Sequence, residues 1–444
     1  MMKKLAKILV MILVMASLSA CGSKTEDTGQ NAAQGGGAEG NGEKVQLVVT
    51  WWGNQARNER TQAALDLYAE ENPNVTFDGQ FSEWADYWNK LAIASAGSSL
   101  PDVIQMDYAY LGQYVQNDLL VDLKPYIESG LLDLSNVSEE IVEVGTIDGG
   151  VYGISIGVNA PALMYNKTLL DEAGIEVKDN MTIDEFIALS KEVYGKTGYK
   201  TNIAYQKGNN FSEYLLRGNG VNFFEGEQLG STDPADYKAY FDLYEMGIKE
   251  GWYVSPTIFT ERNAGSVEQD PLVYGSSPDS RSWCGFFFSN QLTAMQTAAD
   301  ADGIEIGITS WPAKDVKAAN YVKPSMFLSV GVNSKNPEEA VKVIDYWTNS
   351  VDANNILLGE RGVPISTEVA EAILPQLSKT QQDVTKYINE VVMPNSSQIN
   401  PPAPSKSAEV YQLLSQLEEQ VCYGKMTAEE AANQFVEKAN VLLQ

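Results

Sequence analysis

The sequence predicts an α/β protein built of two lobes. Three observations carry that expectation: strands and helices alternate along the chain, the alternation recurs in its later half, and about 400 residues follow an apolar leader and a low-complexity stretch. Alternation implies an open sheet with parallel strands. A chain of that length is too long for one hydrophobic core.

In chain order, Lys3, Lys4 and Lys7 give residues 1–20 a positive end, and Leu5 to Ala16 is nearly all apolar. That run is shorter than the roughly 20 residues of a membrane span, so it reads as a signal peptide. It closes on Leu18-Ser19-Ala20-Cys21. Small residues before a cysteine resemble a bacterial lipobox, which makes Cys21 the expected lipidation site and the cell membrane's extracellular face the expected location. Residues 21–44 hold that cysteine and a Gly-, Asn-, Gln- and Glu-rich tether with too little apolar surface to order itself.

Val45–Trp52 is apolar and β-rich and reads as a buried strand; a helix over Gln55–Glu71 stops at Asn72-Pro73. Val75–Phe77 and Pro101–Met106 are expected strands around a helix from Asp86 to Ala96. Leu163–Tyr165 is a short strand, and Thr182 with Glu185 makes a capping box for a helix carrying Phe186, Leu189 and Val193 on one face. Ile304–Trp311 and Phe327–Val332 read as strands. Asn336-Pro337 opens a helix with Ala340, Val343, Ile344 and Trp347 in register, and Thr427 with Glu430 opens a last one that buries Ala431, Phe435 and Leu442.

Composition excludes whole classes of chemistry. There is no histidine, so Ser-His-Asp and Cys-His catalysis and imidazole metal sites are absent. Gly153-Ile154-Ser155-Ile156-Gly157 matches G-x-S-x-G, but Ser155 has no ordinary base and reads as a strand residue. Gly35, Gly37 and Gly40 match a dinucleotide fingerprint without the strand it needs. Asp300, Asp302 and Glu305 outline half a calcium loop. No cofactor and no complete metal site is expected. The net charge of −28 becomes −31 if residues 1–20 are removed, since they hold three lysines and no acid. Such a field repels phosphate backbones, so nucleic acid is not an expected partner. Cys284 and Cys422 either pair or stand as two buried thiols.

Val151-Tyr152-Gly153-Ile154, followed by Leu163-Met164-Tyr165-Asn166-Lys167-Thr168-Leu169-Leu170 and Asp171-Glu172-Ala173-Gly174, resembles the family 1 extracellular solute-binding proteins, the lipoprotein receptors of carbohydrate ABC importers. The likeness continues through Pro101–Asp107, Ser289-Asn290-Gln291, Lys323–Met326 and Gly359–Pro364, and covers about residues 45–444. It implies a periplasmic-binding-protein-like fold with discontinuous lobes: 45–157 and 323–364 in one, 158–322 and 365–444 in the other. Crossings are implied near Ile156–Ala160, Tyr321–Ser325 and Val363–Ser366. The implied function is that of a monomeric, lipid-anchored receptor. It binds a monosaccharide or oligosaccharide between the lobes, closes, and delivers it to the membrane subunits of an ABC permease without doing chemistry.

Ligands of open α/β sheets bind beyond the carboxyl ends of the strands. That rule selects Trp52, Asp107 and Tyr108. Of the neighbours Trp51 and Trp52, one points to the core, and Trp52 is the cleft candidate. Asn159 lies by a crossing, and Trp84 precedes a helix carrying Tyr87 and Trp88. Indole and phenol rings stack on the apolar face of a pyranose, while Asp, Asn and Arg bond its hydroxyl rim. Asp107 is the rim acceptor of choice, although an Asp after a strand also serves as a helix N-cap. The resemblance adds Trp283, Phe288, Asn290, Met326 and Arg361. For Arg361 two roles stay open, a bond to sugar or a tie between lobes. A uronic acid would call on Arg361, Arg281 or Arg57. The competing readings are a lipid-anchored glycoside hydrolase with paired carboxylates and a receptor for a non-sugar solute.

Overall fold

The computed structural model describes residues 44–262, 266–404 and 406–444. The expected signal peptide, Cys21 and tether lie outside the described residues. Among the described residues no helix is long and apolar enough to cross a membrane.

The first lobe is backed by a five-stranded sheet in the order Val75–Ser82, Val45–Trp52, Val103–Met106, Phe327–Val330, Ile154–Ser155. Its first three strands run parallel, with Trp52 opposite Ser82 and Val49 opposite Val103. Strand Phe327–Val330 runs against them, Phe327 facing both Met106 and Ser155. Helix Gln55–Glu71 buries Thr61, Ala64, Leu65 and Tyr68, and helix Pro337–Asn349 buries Ala340, Val343, Ile344 and Trp347 on the 3.6-residue spacing. The Tyr68 hydroxyl donates to Glu339 at 2.7 Å and ties the two helices.

A four-stranded sheet in the order Ile306–Thr309, Pro161–Asn166, Ser282–Phe288, Lys200–Thr201 backs the second lobe. Around it pack helices Ile183–Thr197, Pro234–Glu250, Ser407–Cys422 and Ala428–Leu442. Both expected capping boxes form: Thr182 accepts from Glu185 N and Thr427 from Glu430 N, each at 3.2 Å.

The chain passes between the sheets where Val158–Asn159 pairs with Lys323–Pro324 and Val158 bridges Val363. This gives the two-lobed, discontinuous α/β architecture. Past residue 365 the chain first packs on elements of the first lobe. Helix Thr367–Ile373 packs against Val351–Leu357 and Pro337–Asn349, and Thr367 N donates to Asn136 O at 3.0 Å. Val369 and Ile373 of this helix, with Leu377 beyond it, cluster with Val351 and Leu358. Contact with the second lobe resumes around Lys379–Lys386, where Thr380 meets Thr293 at 3.0 Å.

Candidate functional site

Strand direction decides where a ligand can sit. In the first lobe the parallel strands end at Trp52, Ser82 and Met106, and Phe327 enters from the crossing beside Met106. In the second, Phe288 lies opposite Pro161 and Thr309 opposite Leu163. Strands Ser282–Phe288 and Ile306–Thr309 therefore end on the side where the chain arrives from Asn159. Both lobes turn the carboxyl ends of strands toward the crossings, the position at which open α/β sheets bind ligands.

On the first-lobe side these ends carry rings. Trp52 meets Trp84 edge-on at 5.0 Å, Tyr87 at 5.2 Å and Trp88 at 5.7 Å, and Trp88 stacks on Tyr110 at 3.9 Å. Trp84, the first residue of helix Trp84–Ala96, is 43% exposed, whereas Trp52 is buried beneath it. Trp51 points the other way, its indole N–H donating to Asn58 Oδ1 at 2.8 Å. Asp107 caps helix Tyr108–Gln116 by accepting from Ala109 N at 2.9 Å. The Tyr108 hydroxyl donates to the Asn400 carbonyl at 3.1 Å, and burial pushes its pKa up to about 12.

Arg361 is buried. It donates to Gln105 Oε1 at 2.9 Å and Thr61 Oγ1 at 2.8 Å, and lies over the Trp347 ring at 5.3 Å. Gln105 in turn donates to the Trp52 carbonyl at 3.1 Å. Arg361 thus holds the loop Gly359–Pro364 to the strand end under Trp52 by bonds that stay within the first lobe. Met326 is likewise buried, its carbonyl accepting from Ile156 N at 3.0 Å.

The second lobe supplies a cavity of about 180 Å³ lined by Asn202, Tyr205, Lys207, Asn210, Phe259, Asp270, Phe286, Phe287, Phe288, Gln291 and Trp311, among others. Phe288 thus reaches a cavity wall, and Lys323 lies 5.1 Å from its ring. Trp283 does not reach it. It is buried in the core against Phe186, with its indole N–H on Thr201 Oγ1 at 2.9 Å, because this strand is covered on both faces. Asp270 accepts from Leu272 N at 2.9 Å and Asn202 Nδ2 at 3.0 Å, and burial pushes its pKa up to about 7. Ala204 and Gln206 hold left-handed backbone, φ 45° and 61°, a conformation that costs energy in non-glycine residues. Glu418 fixes that loop by accepting from Gln206 N at 2.9 Å and the Tyr240 hydroxyl at 2.5 Å.

Asn159 and Asn290 line a separate cavity of about 270 Å³ at the crossings, together with Ser289, Glu360, Gly362 and Gln381. Tyr108 lines a third, of about 550 Å³, with Glu143, Asp148, Gln398, Ile399, Pro401 and Pro402 among others. Asn202, Asp270, Tyr205 and Phe259 carry no signal that sequence reasoning picks up, and Trp311 shows there only as the end of a strand. Trp311 and Asn202 obey the same strand-end rule that selected Trp52, since they follow strands Ile306–Thr309 and Lys200–Thr201.

The remaining motifs resolve into structure. Ser155 is a buried strand residue whose hydroxyl donates to Gly157 O at 2.8 Å. Asp302 pairs with Arg281, and Asp300 accepts from Gln296. Among the described residues no cluster of three or more His, Cys, Asp or Glu could hold a metal. Cys284 and Cys422 are two unpaired buried thiols, both pushed up by burial. All three arginines considered for a uronic acid face carboxylates, Arg57 and Arg361 at Glu360 and Arg281 at Asp302.

Comparison with known proteins agrees with this architecture. The sequence is 24% identical to a galactooligosaccharide-binding protein of Bacillus subtilis across 99% of this chain and 97% of the relative. It is 27% identical to a lactose-binding protein of Rhizobium radiobacter across 42% of this chain, spanning 45% of that relative's length. The fold matches a family 1 extracellular solute-binding protein from Alicyclobacillus acidocaldarius with a TM-score of 0.82 and 25% identity, over 91% of this chain and all of that one. Residues 63–386 match the sequence model of the bacterial extracellular solute-binding proteins, and the chain belongs to that family.

Proposed function

We propose that this protein is a membrane-anchored extracellular receptor that binds a sugar or oligosaccharide between its lobes, closes around it, and hands it to an ABC import permease. The observation that carries this reading is the pairing of surfaces at the strand ends. Trp84 stands out over the Trp52–Trp88–Tyr110 ring cluster on one lobe. On the other, Phe288, Phe286 and Trp311 share a cavity with Asn202, Asn210 and Gln291. Rings for the pyranose face and amides for its rim are what a neutral sugar requires. Relatives named for lactose and galacto-oligosaccharides support the same class. With Arg57, Arg281 and Arg361 paired to carboxylates, a uronic acid would have to call on Lys207 of the cavity wall instead. The lipobox-like run ending at Cys21 is the basis for the anchor.

A glycoside hydrolase would need two carboxyl groups facing one bond. Asp270 is the single carboxylate lining the second-lobe cavity, and it is engaged with Asn202 and Leu272 N. The test is a thermal-shift screen against mono- and oligosaccharides, with each glycan recovered afterwards. Ligand at a hundred times its Kd stabilises the bound form by about 2.7 kcal/mol. A melting point raised by one glycan class, recovered intact, is the expected result. No shift across the panel would point to a non-sugar solute, and a cleaved glycan to a hydrolase.

A further inference from the structure

Residues 396–402 have no regular secondary structure, yet they are held at several points. Arg217, at the end of helix Asn209–Arg217 in the second lobe, donates to Ser397 Oγ at 2.6 Å, to the Gln398 carbonyl at 2.8 Å and to Asn400 Oδ1. The same guanidinium donates to Ala319 O at 2.9 Å and lies 5.1 Å from the Tyr321 ring, so its own position is fixed. Ser397 adds bonds to Asn320 O at 2.9 Å and Ala318 O at 2.8 Å. The rings of Pro401 and Pro402 restrict the backbone just past Asn400. From this anchored stretch Ile399 packs against the cores of both lobes, and the Asn400 carbonyl receives the Tyr108 hydroxyl of the first lobe at 3.1 Å.

We propose that residues 396–402 form a strap, fastened to the second lobe by Arg217, whose contact with Tyr108 biases the receptor toward the lobe arrangement of this structure before any solute arrives. The inference rests on the closing motion proposed above and not on the identity of the solute. Arg217 is a positioning residue: it sets Asn400, and Asn400 meets the other lobe. Burial keeps the Tyr108 hydroxyl protonated, so the donor persists at every physiological pH. A lobe movement that parts Tyr108 from the strap loses this bond, and that cost sets how far the unloaded receptor departs from the arrangement seen here.

The test measures distances between the lobes without ligand. Spin labels at Lys90→Cys and Glu429→Cys, both exposed helical positions, report the separation by pulsed electron resonance. A Cys21→Ser background removes the other accessible thiol candidate, since Cys284 and Cys422 are buried. Tyr108→Phe removes one hydrogen bond and keeps the ring. The population at the parent's main separation, relative to other separations, should fall about two- to tenfold, the effect of one net hydrogen bond. Asn400→Ala, which removes the one of the strap's three bonds to Arg217 that lies at the residue meeting Tyr108, should shift it in the same direction. An unchanged distribution in Tyr108→Phe would overturn the strap. A shift in Tyr108→Phe without one in Asn400→Ala would overturn the positioning of Asn400 by its side-chain bond to Arg217. Distances that respond while no sugar binds would leave the strap standing and remove the sugar reading.

Discussion

Trp52 and Trp84 touch at 5.0 Å but stand in different surroundings, and the difference separates folding from binding. Trp84 is exposed, so Trp84→Ala should leave the melting point nearly unchanged while weakening glycan binding about tenfold, within the range of a ring contact and its buried area. Trp52 is buried in the ring cluster, so Trp52→Ala should cost about 3–5 kcal/mol of stability whatever it does to binding. Equilibrium unfolding beside calorimetric titration tells the two apart; equal stability losses would refute the distinction. Arg361→Met strips Glu360, Gln105 and Thr61 of a buried partner, and should destabilise by about 3 kcal/mol or more in the same unfolding assay. The sequence could name these residues but not sort them. Trp51 and Trp52 differ by one position, and only the packing of Asn58 against one and Tyr87 against the other tells which faces the crossings. Trp283 looks like Phe288 in the sequence for a related reason: strand Ser282–Phe288 is buried for most of its length, so alternation says little about which ring reaches a cavity.

Elements were legible where local chemistry writes their ends. Val45–Trp52, Gln55–Glu71 and the two capping boxes follow from β-branched runs, an Asn-Pro stop and Thr-x-x-Glu patterns. Thr427→Ala removes the box that starts helix Ala428–Leu442, and should cost about 1 kcal/mol, read as a lower denaturant midpoint. Elements without a period stayed hidden. Lys200–Thr201 is a two-residue strand, too short to alternate, so Asn202 behind it carried no signal. Residues 396–402 place Asn400 against Tyr108 through bonds to Arg217, 183 positions away from Asn400, and no local pattern encodes that distance. The helix Thr367–Ile373 was not read from the sequence, and its packing depends on Val351 and Leu358, which only the fold brings beside it.

At the scale of the molecule, buried acids set the response to pH. Burial pushes Asp270 and Glu213 up to about 7 and Glu418 to about 8, against ordinary values of 3.8 and 4.5. The folded protein therefore keeps protons that the unfolded chain has released. That contribution is complete below the ordinary carboxylate range and is lost as pH rises through 7 to 8. Mutual repulsion in a chain of net charge −28 acts in the same direction. The cap carboxylates Glu185 and Glu430, held below their usual range by Thr182 and Thr427, act in the opposite sense only at the acid end. The melting point should fall from pH 5 to pH 8, and Glu418→Gln, which keeps the shape without the charge, should flatten the fall. A melting point that climbs over that interval would contradict the buried acids' role.

The two-lobed architecture could be read from the resemblance, and the strand directions are the physical basis for proposing a solute site between the lobes. Closure around that solute is the central claim. Small-angle scattering of the protein with and without the glycan found in the thermal screen tests it most directly. The account predicts a smaller radius of gyration in the loaded form, reversed when the glycan is dialysed away. A radius unchanged by saturating glycan would contradict it.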